Sequence, residues 1–271
     1  MSQRNIDPVF STTTPIRYCN HEGGGTGFSF NHENKTYLVT NRHIVDADDE
    51  DINPEEAYIW LRNTTDIENA NRNKIRINAD GSPRWRGHPI DGEDIDLAIV
   101  PLNPQLSSLD DLFDDEESIN SGNLAFTTDY FLHQNIQIDQ RVSIVGYPGD
   151  FMDKSTRFPV RRNALISSPY THGFENQPFF LTDARMHPGT SGSPVIMDTG
   201  GMRMTHGDVP DHRSKTLYLL GVHSATFYGT NFEEQNQDGE NSDDNSDERD
   251  FKLDLNVAWY SELLSDLLPS E

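Results

Sequence analysis

The stretch that decides the fold is Pro188-Gly189-Thr190-Ser191-Gly192-Ser193-Pro194-Val195. A serine stands between glycines, with a second serine and a proline behind it, and the apolar run Val195-Ile196-Met197 follows. Glycine does not oppose a positive φ, so the chain turns sharply here and presents backbone N–H groups before it enters a strand. Donors presented that way suit a carbonyl oxygen that becomes negative during reaction. The candidate donors are the N–H groups of Gly189 and Ser191, and the candidate attacking atom is Ser191 Oγ. Taken alone, the stretch is no more than a Gly/Ser turn before a strand. A serine hydroxyl is a weak nucleophile that needs a base, and the base needs a carboxylate to hold its tautomer.

Two upstream stretches supply those groups. Tyr37-Leu38-Val39-Thr40 reads as a strand, paired in a hairpin with Phe28-Ser29-Phe30 through the polar turn 31–35, and Asn41-Arg42-His43 follows it directly. Asp94-Ile95-Asp96-Leu97-Ala98-Ile99-Val100-Pro101 begins with carboxylates and ends as a buried strand. Asp94 competes with Asp96 for the role of carboxylate, and Ser193 competes with Ser191 for that of nucleophile.

The remaining pattern is one of short strands and polar turns. Further strands are expected at 58–61, 74–77, 141–149 (ending in a turn), 161–167, 179–182, 216–225 and 253–257. Residues 1–20 read as a lead-in segment, and the glycine-rich turn 21–27 lacks the Lys-Ser/Thr and the helix of a phosphate-binding loop. Residues 103–122, with Leu106, Leu109, Leu112 and Phe113 among acids, read as a surface helix linking two halves, 1–122 and 123–271. Residues 231–250 hold nine acids and one arginine and read as a disordered, solvated loop. Residues 258–268 carry Leu263, Leu264, Leu267 and Leu268 at helical spacing and predict an amphipathic C-terminal helix. Together these elements fit an all-β fold of two barrels closed by one helix.

Tyr-Leu-Val-Thr-Asn-Arg-His-Ile-Val (37–45), Asp-Leu-Ala-Ile-Val (96–100) and Gly-Thr-Ser-Gly-Ser-Pro-Val (189–195) resemble the three signatures of the chymotrypsin-like serine peptidases. The likeness is strongest to the disulfide-free microbial branch with the HtrA and glutamyl-endopeptidase types, and it extends over roughly residues 20–260. It implies two six-stranded antiparallel β-barrels with the active site in the cleft between them. It implies His43 as general base, Asp96 (immediately before Leu-Ala) as its orienting carboxylate, Ser191 as nucleophile, and Gly189 and Ser191 as oxyanion donors. Thr190 stands where animal relatives place the aspartate that binds a newly cut N-terminus, so maturation without activation cleavage is expected. The adaptor domain and trimer logic of HtrA proteins are not expected either. The substrate pocket is expected from Arg185, six residues before the nucleophile, and from His223, Ser224 and Ala225. A cation and a histidine converging there imply a preference for Glu or Asp before the scissile bond. Met186 departs from the small hydroxyl residue of glutamyl types.

Composition narrows the function classes. The 271 residues carry 21 basic and 45 acidic side chains, a net charge of −24, which disfavours nucleic acid and anionic membranes as partners. The acids, with few lysines among the cations, suggest a salt-loving microbe, because self-repulsion is screened to within roughly 3 Å at 1 M salt. Cys19 is the only cysteine, so an intrachain disulfide is excluded. The polar N-terminus has no secretory pattern and no run reaches a membrane span, which makes a cytoplasmic address the expectation. There is no His-Glu-x-x-His and no cysteine pair for zinc, so neither metal nor cofactor is expected; His206, Asp208, Asp211 and His212 read as a polar loop. The substrate is then a protein or peptide. Two rivals stand beside the peptidase: a catalytically silent, peptide-binding chaperone on the same fold, and an effector peptidase of stress or antiviral defence switched on by a partner.

Overall fold

The computed structural model describes residues 8–33, 35–46, 54–63, 66–79, 82–89, 95–102, 125–131, 136–198, 217–229 and 251–269. Outside them lie the expected linker helix 103–122, the expected disordered loop 231–250, Asp94, and the group His206, Asp208, Asp211 and His212.

The first half contains β1 (Thr13–Tyr18), β2 (Gly24–His32), β3 (Lys35–Thr40), β4 (Glu56–Asn63), β5 (Asp66–Arg76), β6 (Asn78–Ala79), β7 (Ser82–Pro83), β8 (Arg86–Gly87) and β9 (Ala98–Pro101). Seven of these form one sheet in the order β5-β4-β1-β2-β3-β9-β8, and β6 and β7 pair separately. The sheet has one strand more than the six expected, because Arg86 and Gly87 beyond Trp85 pair with Ile99 and Ala98. The second half contains β10 (Arg141–Gly146), β11 (Val160–Leu165), β12 (Phe179–Thr182), β13 (Pro194–Asp198), β14 (Leu217–Gly229) and β15 (Phe251–Tyr260). Its six strands run in the order β11-β10-β13-β14-β15-β12. The two ends of that order meet: Ile166 bridges Thr182, and Ser167 N–H donates to the Leu181 carbonyl at 2.8 Å. The second sheet therefore closes on itself as a six-stranded barrel, which leaves no long unpaired edge.

Side-chain alternation along the strands builds three cores. Leu38 packs with Ile16, Ile59, Ile75 and Val100 inside the first half, while its neighbours Tyr37 and Val39 join a shared cluster. Val195 and Met197 face the interior of the second half with Ile144, Phe180 and Leu220. Ile196 points the other way, into the shared cluster, where Phe28, Phe30 and Leu97 of the first half meet Phe126, Leu219 and Trp259 of the second. Each such side chain contributes about 1.5–3 kcal/mol on full burial, so the seam between the halves is a real core.

Two expectations are corrected. Residues 1–20 are not merely a lead-in: α1 (Pro8–Thr12) precedes β1, which lies between β2 and β4 in the sheet. The polar run Thr12-Thr13-Thr14 hides this strand from a hydrophobicity reading, yet all three are buried because their hydroxyls find partners. Thr12 and Thr13 donate to the Val9 carbonyl at 3.0 and 2.8 Å, and Thr14 Oγ1 accepts from Trp60 N–H at 2.7 Å. The terminal helix is also far shorter than 258–268. Residues 258–260 belong to β15, Ser261–Leu263 form a 3₁₀ turn, and the last α-helix is Leu264–Leu267. Trp259 fits the shared core as well from a strand as from a helix, and pairing with Phe179 and Val222 decides for the strand.

The seam is tight enough to test. Gly146, at the end of β10, has no room for a Cβ, which would run into Ser193 Oγ and crowd Thr26 Oγ1. Gly146→Ala should cost about 1–3 kcal/mol in urea unfolding through overpacking, and adding Ser193→Ala should restore part of it; additive losses would show that the two side chains do not compete for this space.

Candidate active site

Strand register brings the first two candidates together. β3 and β9 are antiparallel with Thr40 opposite Ala98, so the residues just beyond Thr40 face those just before Ala98. Asn41, fully buried, donates its Nδ2 to the Asp96 carbonyl at 2.7 Å and leads into the single helical turn α2 (Arg42–Val45) that carries His43. His43 Nδ1 lies 2.8 Å from Asp96 Oδ2, and the His43 backbone N–H donates to Asp96 Oδ1 at 3.0 Å. An Nδ1–H held on a carboxylate leaves Nε2 as the basic nitrogen, on a side chain that is 47% exposed.

The third candidate arrives from the second half. β13 and β14 pair with Pro194 opposite Val222, and the ladder continues into the turn: His223 N–H donates to the Ser193 carbonyl and Gly192 N–H to the His223 carbonyl, each at 2.8 Å. Ser224 therefore stands beside Ser191. Its hydroxyl donates to Asp96 Oδ2 at 2.5 Å, while its carbonyl accepts the Ser191 hydroxyl at 2.8 Å. Ser224 thus touches both the carboxylate and the candidate nucleophile; the sequence expectation had given it to the substrate pocket. Ser193 is fully buried against Gly146, whereas Ser191 is half-buried.

The turn itself has the form an oxyanion site requires. Gly189 and Gly192 adopt φ 89 and 87, a region that side chains disfavour. The Pro188 carbonyl accepts Gly149 N–H at 2.7 Å and the Thr190 carbonyl accepts Ser193 N–H at 3.0 Å. In a trans peptide the N–H points opposite to the carbonyl, so these two bonds aim the N–H groups of Gly189 and Ser191. Among the described residues neither N–H donates to a backbone carbonyl.

The expected pocket residues differ in exposure. Arg185 is exposed, and its carbonyl accepts Arg162 Nη1 at 2.8 Å; Met186 turns inward to the second core. Ala225 is exposed. His223 is buried beneath the turn that carries Ser191. Thr190 Oγ1 gives its proton to the His187 carbonyl at 2.7 Å and lies 3.2 Å from His223 Nε2, from which it accepts. Burial, reinforced by the neighbouring His43, pushes the His223 pKa down to about 4, so this imidazole is neutral at physiological pH. Among the described residues no group of three or more His, Cys, Asp or Glu could hold a metal ion. No helix among them is long and apolar enough to cross a membrane.

With fold and site in view, the chain belongs to the trypsin-like peptidase domain family, whose model matches residues 25–202. A curated relative from Arabidopsis thaliana, named "Putative protease Do-like 13", is 30% identical over 107 residues, 39% of this chain. The match spans 18% of that relative's length. Among solved structures, the MamO protease domain from Magnetospirillum magneticum aligns with a TM-score of 0.48 at 13% identity, covering 97% of this chain and 98% of that one. A serine endoprotease from Yersinia pestis aligns with a TM-score of 0.45 at 14% identity, covering 80% of this chain and 54% of that one.

The buried His223 has a measurable consequence. Its folded pKa lies below the ordinary histidine value near 6.5, so between those values the unfolded chain binds more protons and stability rises with pH. The native advantage is complete above about pH 6.5 and falls as the pH drops toward 4, by roughly 3 kcal/mol at about 1.4 kcal/mol per unit. Urea unfolding at pH 4.5 and 7.5 should show this acid sensitivity reduced in His223→Gln; an unchanged pH slope would show that His223 is not the group responsible.

Proposed function

We propose that this protein is a serine endopeptidase that cleaves peptide bonds through an acyl-enzyme on Ser191. The observation that carries it is the hydrogen-bond set centred on Asp96, which takes His43 from one half and Ser224 from the other while Ser224 holds Ser191. The Ser191 hydroxyl leaves the Ser224 carbonyl by rotation about χ1 and turns to His43 Nε2. Oγ then attacks the substrate carbonyl carbon as its proton passes to Nε2, and the imidazolium is stabilised by Asp96. The N–H groups of Gly189 and Ser191 receive the oxyanion. Collapse expels the amine, which takes the proton from His43, and water attacks the acyl-enzyme by the same base to release the acid.

A preference for Glu or Asp before the scissile bond rests on Arg185, exposed six residues before the nucleophile, and on the Arg162 guanidinium at its carbonyl. His223, neutral and turned to Thr190, adds no positive charge to that preference. The substrate class is a protein or peptide.

In molar KCl, a fluorophosphonate probe should label the protein and not Ser191→Ala. His43→Ala and Asp96→Asn should lower kcat by on the order of 10⁴. Absence of labelling and cleavage would favour a silent peptide-binding protein, and labelling that appears only on adding a partner would favour a switched effector. A peptide library reads the pocket: efficient cleavage after Lys or bulky aromatics would remove the acidic preference.

A further inference from the structure

Thr26 lies in the glycine-rich stretch Gly23-Gly24-Gly25-Thr26-Gly27, on β2 of the first half, and is fully buried. Every polar function it has is used at the seam. Its N–H donates to the Ser191 carbonyl at 2.8 Å, and its carbonyl accepts Thr40 Oγ1 at 2.8 Å. Its hydroxyl donates to the Gly189 carbonyl at 2.7 Å and accepts Tyr147 N–H at 3.2 Å.

Set beside the bonds within the turn, these contacts pin four successive peptide planes by their carbonyls. Gly149 holds Pro188, Thr26 Oγ1 holds Gly189, Ser193 holds Thr190, and Thr26 N–H holds Ser191. Thr26 supplies the second and fourth, which flank the plane carrying the Ser191 N–H. Its hydroxyl also ties Gly189 to Tyr147, two residues before the Gly149 whose N–H fixes the plane carrying the Gly189 N–H. Rotation of either donor plane therefore strains a bond to Thr26. Gly192 cannot relax toward this strand, because even a Cβ there would overlap the Thr26 carbonyl.

We infer that Thr26 is a positioning residue for the oxyanion site: its hydroxyl, contributed by the first half, bridges the Gly189 carbonyl and the Tyr147 N–H and so holds the Gly189 and Ser191 N–H groups in their donor geometry. The inference rests on the peptidase reading and adds a residue to it. Thr26 touches no substrate; it acts through the turn. The hydroxyl matters more in the transition state than in the Michaelis complex, since the donors meet full charge only when the oxyanion forms.

Thr26→Val keeps the shape and removes the hydroxyl; Thr26→Ser keeps the hydroxyl. On a peptide substrate, Thr26→Val should lower kcat by roughly tenfold to a hundredfold with KM within about twofold, a smaller loss than deletion of an oxyanion donor itself. Thr26→Ser should recover kcat to within about threefold of wild type. Hydrogen exchange across residues 187–193 should be faster in Thr26→Val and near wild type in Thr26→Ser. The inference is overturned if Thr26→Val keeps its kcat, if KM rises alone, or if Thr26→Val and Thr26→Ser lose equally. If the wild type neither labels nor cleaves, the peptidase reading fails; unchanged exchange in Thr26→Val would then overturn the hydroxyl bridge separately, and faster exchange would uphold it as a device that orders the turn.

Discussion

The structure depends on one hydrogen bond that crosses between its halves, from Thr26 N–H to the Ser191 carbonyl. The first half contributes His43 and Asp96, the second contributes Ser191, and neither contains a complete site. Sheet pairing positions groups within each half to a fraction of an ångström but says nothing about the distance across the seam. The Thr26 bond, with the Thr26 hydroxyl on Gly189 and the Ser224 hydroxyl on Asp96, supplies that missing constraint. Around it the shared core of Phe28, Phe30, Phe126, Ile196, Leu219 and Trp259 excludes water, which strengthens each of these bonds and makes any unmade one costly.

Beneath the turn that carries Ser191, Thr190 is accommodated by pairing and His223 by neutrality. Thr190 occupies the position before Ser191, and its hydroxyl is satisfied locally by His187 and His223. A buried aspartate there would need a cation brought to it; a threonine needs only a carbonyl and an N–H, both supplied by adjacent chain. His223 stays uncharged because burial penalises its protonated form and His43 stands nearby. The turn is thus ordered by groups already folded into the second half and by Thr26 from the first.

Much of this was legible in one dimension. The three stretches around His43, Asp96 and Ser191 each place a reactive residue at the end of an apolar run, and runs of that kind become strands wherever they are buried. Nearly every central strand was visible in this way, as was the all-β class. β1 was not, because its buried threonines are indistinguishable from a polar lead-in until their hydrogen-bond partners are known. The length of the last helix was not, because Trp259 satisfies helical and strand spacing alike and only pairing with β12 and β14 separates them. The glycine-rich run around Thr26 showed only that the chain turns there, without showing what it turns against.

The sequence by itself therefore determined the chemistry on offer: a serine in a glycine turn, a histidine and a carboxylate, each beside its own strand, with no second cysteine to bridge anything. Tertiary structure decided how those groups are used. It turned Ser224 onto Asp96, put His223 under Thr190, and brought Thr26 across the seam to the turn that carries Ser191. The physical reason is that local spacing specifies which face of a strand a residue takes, whereas hydrogen bonds between residues some 130 to 160 positions apart (Ser224 to Asp96, Thr26 to Gly189) exist only once both halves have packed.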